Sequence, residues 1–184
     1  MDIVSLRNRY QEVVKPKLKT EFGLTNNMAV PRIAKVTVNI GIGKFLKEDS
    51  RLKEIQESLA VITGQKLMPR IARKAVASFK IREDMTIGYA ATLRGEKMWS
   101  FLDRLVHTAL PRVRDFQGIP ISCVDQNGNL NMGLKEHAVF AEIIPEKVQT
   151  MFGFQIIITT TAQNAKEAEA LFRGLGFPLQ TEKA

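Results

Sequence analysis

The stretch Ile33-Ala-Lys-Val-Thr-Val-Asn-Ile-Gly41 decides the fold, because here the spacing of apolar residues becomes two. Val36, Val38 and Ile40, followed by Ile42, share one side of the predicted strand. The other side carries Lys35, Thr37, Asn39 and Gly41. This alternation predicts a β-strand with one dry face and one polar face. The dry face needs a covering layer of helices.

Four segments place apolar residues three and four apart, the spacing of an amphipathic helix. They cover residues 2–20, 50–64 and 95–110, and a last segment that begins after Asn164. Ser50 and Asn164 are predicted N-caps, and Glu167 stands where a capping box requires an acidic residue. Gly64 and Pro111 are predicted to end the second and third helices.

Further strands are predicted at residues 87–93 and 156–161. Residues 121–124 and 130–134 flank Asn127-Gly128, a strong hairpin signal, and are predicted to pair. After Gly64 we expect a short strand that passes into a loop at 73–84. The chain has no internal repeat and no linker. It therefore predicts a single α+β domain over residues 1–184, with a mostly antiparallel sheet and helices packed on one face.

Positive charge is concentrated in one part of the chain. The 184 residues have a formal net charge of +8, while 45% hydrophobic and 25% charged residues are ordinary for a folded soluble protein. Residues 64–82 contain no acidic residue and hold six of the cations: Lys66, Arg70, Arg73, Lys74, Lys80 and Arg82. Such a cluster is typical of a site that binds phosphate groups.

Other features exclude several classes of protein. Cys123 is the single cysteine, so neither an internal disulfide nor a cysteine zinc site is expected. The N-terminus does not have the pattern of a signal peptide, and no run approaches the roughly 18 apolar residues of a membrane span. We expect a cytoplasmic protein that has no membrane partner, no metal and no cofactor.

Two motifs resemble known binding loops but fail in detail. A phosphate loop built on Gly43 requires Gly at position 38 and Ser or Thr at position 45, where the chain has Val38 and Phe45. A calcium loop that begins at Asp125 requires Gly at its sixth position, which is Leu130. A strand end and a hairpin turn explain these residues instead.

Catalysis is not predicted, because no nucleophile, base and orienting group converge in the sequence. His107 falls among apolar residues of the third helix and is predicted to be a partly buried structural residue. His137 stands beside Glu136 and is predicted to lie on the surface. We therefore expect a protein that is not an enzyme.

The basic stretch has features that favour RNA as its ligand. Apolar and aromatic residues interleave with the cations, as in surfaces that bind a phosphate backbone and stack on bases: Ile71, Val76, Phe79 and Ile81. The predicted polar sheet face adds small neutral groups at Thr37, Asn39, Gly88 and Thr92. In this hypothesis the cations provide affinity for phosphates, and the small neutral groups let the RNA backbone come close and form hydrogen bonds.

Eight blocks occur in the order and spacing of a known family. They are Val30-Pro-Arg-Ile33, Thr37-Val-Asn-Ile-Gly-Ile-Gly43, Gly64-Gln-Lys66, Ala72-Arg-Lys-Ala-Val-Ala-Ser-Phe-Lys-Ile-Arg82, Thr92-Leu-Arg-Gly-Glu-Lys-Met-Trp99, Pro111-Arg-Val-Arg-Asp-Phe-Gln-Gly118, Met132-Gly-Leu-Lys-Glu136 and Ile157-Ile-Thr-Thr-Thr-Ala162. In these blocks the chain resembles bacterial large-subunit ribosomal protein five over nearly its whole length. The first ten residues match poorly.

The resemblance implies a structural protein of the large ribosomal subunit that binds 5S rRNA and helps attach it in the central protuberance. It also implies contact with 23S rRNA and with other 5S rRNA-binding proteins of that subunit. The family's RNA-binding residues fall on Asn39, Gln65, Phe79 and Thr92, and we group with them Thr37, Lys66 and Arg94.

Two further contacts are implied by the same resemblance. A protruding basic loop would approach the transfer RNA in the peptidyl site through Arg73, Lys74, Ala75, Val76, Ala77, Ser78, Lys80 and Arg82. A bridge to small-subunit head protein thirteen would use the segment from Arg112 to Gly118, with Arg114, Asp115 and Phe116, and the residues after Glu136.

The chain also departs from the family pattern. Many members have Pro and Ser where this chain has Leu67 and Ala75, and Pro69 is displaced. From composition alone, a free-standing RNA-binding regulator or chaperone is an equal alternative. A nucleotide-using enzyme built on residues 41–43 is a second alternative, which the broken phosphate-loop spacing disfavours.

Overall fold

The computed structural model describes residues 5–45, 48–144, 146 and 148–180. These residues form one five-stranded sheet from β1 (Ile33–Gly41), β2 (Met68–Ile71), β3 (Thr86–Leu93), β4 (Leu130–Leu134) and β5 (Phe154–Thr160). The strand order is β2-β3-β1-β5-β4, and every neighbouring pair is antiparallel. The predicted mostly antiparallel sheet is confirmed, with β1 at its centre.

The register of the strands separates the sheet into two faces. Val38 lies opposite Ala91 on β3 and Ile156 on β5, and all three side chains are buried. One residue earlier, Thr37 lies opposite Thr92 and is only half-buried. Because side chains alternate along a strand, the buried residues form one continuous apolar face, and the opposite face stays partly open.

Helices supply the layer that covers the apolar face. The first, α1, begins as Leu6–Arg9, widens to a π-helical turn at Tyr10–Val14 and continues over Lys15–Glu21. α2 is Asp49–Thr63, and α4 is Ala165–Leu175. In the chain, α3 lies between α2 and α4. It consists of three consecutive segments: Gly95–Arg104, a second π-helical turn at Leu105–Ala109, and Leu110–Arg112. The α+β prediction is therefore confirmed. None of the described helices has the length and apolar content that crossing a membrane requires.

Proline explains why two helices contain a wide turn. Pro16 and Pro111 each lie two residues after the end of a π-helical turn, at the second residue of the segment that follows it. A proline ring has no N–H to donate and collides with the carbonyl of the preceding turn, so a wider turn relieves the contact. α3 therefore passes through Pro111 and ends at Arg112, one residue beyond the predicted stop.

The predicted helix ends are confirmed in part. Gly64 has a left-handed φ of 65° after α2, and the Asn164 side chain accepts a 2.9 Å hydrogen bond from the Glu167 N–H. Glu167 in turn accepts from the backbone N–H of Gln163. Ser50 as the cap of α2 is wrong, because the helix begins one residue earlier and Ser50 lies inside its first turn.

The predicted hairpin around Asn127-Gly128 is half correct. Residues Ile121–Cys123 form a 3₁₀ turn instead of a strand, and only Val124 bridges to Leu130. Pro120 has no N–H for a ladder, which disfavours a strand at this point. Asp125 closes the turn by accepting 2.7 and 3.0 Å hydrogen bonds from the backbone and side-chain nitrogens of Asn129.

The two histidines are placed opposite to their predictions. His107 is exposed, although Leu105, Val106 and Ala109 of the same π-helical turn are buried. His137 is completely buried in a short 3₁₀ turn and stacks on Phe152, with 3.8 Å between the ring centres. Burial lowers the pKa of His137, although the backbone of Phe152 and the negative charge of Glu54 oppose the shift. Sequence neighbours therefore did not reveal which histidine is inside.

Acid should destabilise the fold through His137. The unfolded chain takes up a proton below the ordinary histidine pKa of about 6.5, whereas the folded protein resists it. The contribution of neutral His137 to stability is therefore complete above that pH and falls as the pH decreases below it. We expect the melting temperature to drop less between pH 7.5 and pH 5 in His137→Leu than in the wild type. His107→Gln changes an exposed histidine and is the control, so its melting temperature should drop as much as that of the wild type. Equal drops in melting temperature for all three proteins would contradict the prediction.

Gly88 on β3 leaves no room for a side chain beside β1. A Cβ at this position would lie 2.5 Å from the backbone oxygen of Ile40, whereas a Cβ at the facing Gly41 would meet nothing within 4 Å. We expect Gly88→Ala to lower the free energy of unfolding by roughly 1–3 kcal/mol, as overpacking does. Gly41→Ala is the matched control and should change it by less than about 0.5 kcal/mol. Urea unfolding measures both free energies. If the two variants lose similar amounts of stability, the contact between residue 88 and the Ile40 backbone does not determine the cost of a side chain at this position.

Candidate nucleic-acid interface

The open face of the sheet brings together residues that are distant in sequence. Thr37 on β1 and Thr92 on β3 are direct cross-strand partners, and Asn39 lies opposite Ala90 in the next row. Gly88 and Ala90 leave little side-chain bulk beside these polar groups. The three predicted polar residues of the face, Thr37, Asn39 and Thr92, are thus neighbours and are half-exposed.

Gln65 joins this group through the end of α2. The left-handed turn at Gly64 redirects the chain toward β3, where the Gln65 side-chain amide donates a 3.2 Å hydrogen bond to the Thr92 backbone oxygen. The Lys97 ammonium donates to the Gly64 carbonyl at 3.1 Å and holds the turn from the other side. The amide oxygen of Gln65 has no partner among the described residues. It is thus available to accept a bond from a ligand.

The predicted loop is a narrow hairpin that is held by backbone hydrogen bonds. Ala72 exchanges hydrogen bonds with Asp84 and Met85, and Val76 exchanges two with Ile81. The tip contains the 3₁₀ turn Ala77–Phe79, and Phe79 is 73% exposed. The loop therefore presents an aromatic ring on a hydrogen-bonded support.

Cations line the β2 side of the sheet and the loop. The seven predicted basic residues of this region are all exposed: Lys66, Arg70, Arg73, Lys74, Lys80, Arg82 and Arg94. None of them takes part in an ion pair in the part of the chain that the structure describes, where the pairs are made by other arginines. We call these seven residues the basic edge. Unpaired and solvated guanidinium and ammonium groups are well suited to neutralise phosphates.

A cavity of about 460 Å³ brings together the two segments predicted for the bridge. One wall is residues 113–118, which include Arg114, Asp115 and Phe116, and the other is residues 133–136 with Val139. Arg112 is exposed but does not line the cavity. Asp115, within the first segment, adopts a left-handed φ of 52°. The rim of the cavity is therefore shaped by both segments.

Two amide side chains of the open face were missed by the sequence analysis. Gln155 on β5 lies directly opposite Asn39, and Asn131 on β4 lies one row away, opposite Ile157. Each sits between buried residues of its own strand, so the alternation already placed it on the polar side. The pairing of β5 with β1 was needed to show that these amides border Asn39.

Comparisons with known proteins agree along the chain. A family model described as ribosomal protein L5 matches residues 26–82, and a second model, described as the C-terminus of the same ribosomal protein family, matches residues 86–179. Large ribosomal subunit protein uL5 of Rubrobacter xylanophilus is 47% identical over 175 residues, covering 95% of this chain and 97% of the relative. The uL5 proteins of Shewanella piezotolerans and Prochlorococcus marinus are each 44% identical over 178 residues, covering 97% of this chain and 99% of the relative.

These matches decide between the alternatives left by composition. They are spread over both halves of the chain, and each description names a ribosomal protein. The expectations of a non-enzymatic protein and of a cytoplasmic, ribosomal location are thereby confirmed, and the nucleotide-using enzyme is excluded. The chain belongs to the uL5 family of large ribosomal subunit proteins.

Proposed function

We propose that this structural constituent of the large ribosomal subunit binds 5S rRNA and helps attach it in the central protuberance. The observation that carries the proposal is the open sheet face, where Thr37, Asn39 and Thr92 adjoin each other beside the basic edge. A neutral polar surface next to unpaired cations suits a folded RNA, because phosphates need charge while riboses and bases need hydrogen-bonding groups.

Phe79 and Gln65 extend this surface on the β2 side. A ring that is 73% exposed costs free energy in water and is a natural platform for a base, since base–aromatic stacking contributes about 1–3 kcal/mol. Gln65 is held in place by its bond to the Thr92 backbone. Lys66 and Arg94 flank the same region and would neutralise the backbone of the RNA.

The protruding loop is proposed to contact a second RNA, the transfer RNA in the peptidyl site. Its tip, residues 73–78 with Lys80 and Arg82, projects from the sheet on its own backbone ladder. The exposure of all these residues supports a contact that forms independently of the sheet face.

Protein contacts complete the proposal. The cavity between residues 113–118 and 133–136 is proposed to receive small-subunit head protein thirteen in a bridge between the subunits. Contacts with 23S rRNA and with other 5S rRNA-binding proteins of the large subunit belong to the same proposal. We further propose that residues 1–184 form one domain, since β1 from the first family match pairs with β3 and β5 from the second.

Removing one polar group from the open face should weaken RNA binding without unfolding the protein. We expect Asn39→Ala and Thr92→Ala each to reduce affinity for 5S rRNA about fivefold, which corresponds to about 1 kcal/mol. A filter-binding titration against 5S rRNA and a scrambled RNA of equal length, at two salt concentrations, measures the loss. Circular dichroism checks the fold, and wild-type affinity in both folded variants would show that this face does not bind the RNA.

The loop cations should affect a different RNA. We expect Arg73→Ala and Lys74→Ala to leave 5S rRNA affinity within about twofold, because the proposal assigns their phosphate contacts to the transfer RNA. Ribosomes assembled with these variants should hold peptidyl-site transfer RNA more weakly, as measured by its dissociation rate. A loss of 5S rRNA affinity with unchanged transfer RNA dissociation would reverse the assignment. Lys166→Ala, an exposed cation on α4, is the matched control.

A further inference from the structure

The open face contains a shallow depression of about 440 Å³ on the side away from the basic edge. Its lining includes three carboxamide side chains and three glycines: Asn39, Asn131, Gln155, Gly41, Gly133 and Gly153. We call it the amide depression. It lies over β1, β5 and β4, whereas the cations of the basic edge cluster around β2, β3 and the loop.

The register fixes how the three amides are spaced. Asn39 and Gln155 are direct partners on adjacent strands, which places their Cβ atoms about 5 Å apart. Asn131 lies on the next strand, diagonally from Gln155, at about 7–8 Å. Three donor and acceptor groups thus face the same small area of the sheet. A planar ligand the size of a nucleoside could reach all three.

These amides have no structural duty in the fold. Asn129 and Asn164 hold a turn and a helix end through short hydrogen bonds. In contrast, the side chains of Asn39, Asn131 and Gln155 make no hydrogen bond within the described residues, and all three retain contact with solvent. Their donors and acceptors are therefore available to a ligand.

Glycines keep the floor of the depression low. A Cβ built on Gly41 or on Gly133 would meet no atom within 4 Å, so neither glycine is required by packing inside the protein. Glycine weakens a strand interior and commonly marks a place where another molecule approaches the backbone. The space above these two residues fits a ligand that lies against the sheet.

Charge identifies the class of ligand. Among the described residues that line the amide depression there is no Lys, Arg, Asp or Glu. A phosphate would find no compensating cation among these lining residues, whereas an amide can both donate to and accept from a neutral base edge or a ribose hydroxyl. The two halves of the open face therefore differ in the part of an RNA that they suit.

We infer that the amide depression binds the nucleoside part of a nucleotide of 5S rRNA, a base edge or a ribose hydroxyl, while the phosphates of that RNA lie along Lys66, Arg70 and Arg94, the cations of the basic edge outside the loop. This inference rests on the proposed function and extends the RNA contact from β1 and β3 to β5 and β4. It assigns Asn131 and Gln155 to recognition, and it assigns the salt dependence of 5S rRNA binding to Lys66, Arg70 and Arg94.

Three variants test the inference in the full-length protein. Asn131→Ala and Gln155→Ala remove one amide each, and Gly41→Val fills the depression with a side chain. We expect each to weaken binding to 5S rRNA about fivefold or more, and to reduce the preference over a scrambled RNA. The slope of log affinity against log salt should stay unchanged, because no phosphate contact is lost. Gln11→Ala removes an exposed amide from α1 and is the matched control.

The outcomes separate the inference from the proposed function. If the wild type itself binds both RNAs equally, the proposed function and the inference fail together. If the wild type prefers 5S rRNA and all three folded variants keep that preference, the inference alone is overturned. A reduced salt slope in Asn131→Ala or Gln155→Ala would also overturn it, since that result indicates a phosphate contact. Titration with 2′-deoxy-substituted RNA then identifies the group bound. If the variants bind the 2′-deoxy-substituted RNA as tightly as the wild type does, the lost contact was to the ribose hydroxyl. If the variants still bind it more weakly than the wild type, the contact was to the base.

Discussion

Strand β1 is hydrogen-bonded along both of its edges, yet only one of its two faces is covered. Residues 36–39 have antiparallel partners on both sides, so a further contact along this stretch is made through side chains above or below the sheet. The helices cover the side that carries Val36, Val38 and Ile40. The side that carries Thr37 and Asn39 therefore becomes the broad polar surface of the molecule.

Charge and hydrogen bonding are separated on that surface. Cations cluster around β2, β3 and the loop, and neutral amides occupy the half formed by β1, β5 and β4. Phosphate neutralisation acts over several ångströms and tolerates small displacements, whereas an amide discriminates only at hydrogen-bond distance. A rigid sheet is a suitable support for the second kind of contact, and an exposed loop is sufficient for the first.

Local patterns predicted the elements better than they predicted contacts between elements. Alternation identified both faces of β1, and Gly64 and Asn164 marked helix ends because each acts within its own turn. The 3₁₀ turn at Ile121–Cys123 was missed although Pro120 disfavours a strand there, and the burial of His137 was missed because it depends on packing against Phe152, in another part of the chain. Asn131 and Gln155 were not predicted as site residues for the same reason. The alternation within each strand already placed them on the polar face, but it does not show which residues of other strands lie beside them. Only the strand register shows that they border Asn39.

The central position of β1 also sets the order in which the sheet is completed during synthesis. Its partner β5 is the last strand, and the backbone N–H of Arg32 bonds to a Thr161 hydroxyl that is 129 residues away along the chain. A growing chain that stops before Phe154 leaves one edge of β1 unpaired and its apolar face incompletely packed, which is a state prone to aggregation. Such a chain also lacks Gln155 beside Asn39. A truncated product would therefore be poorly able to compete for RNA, and assembly would favour chains whose translation has passed β5.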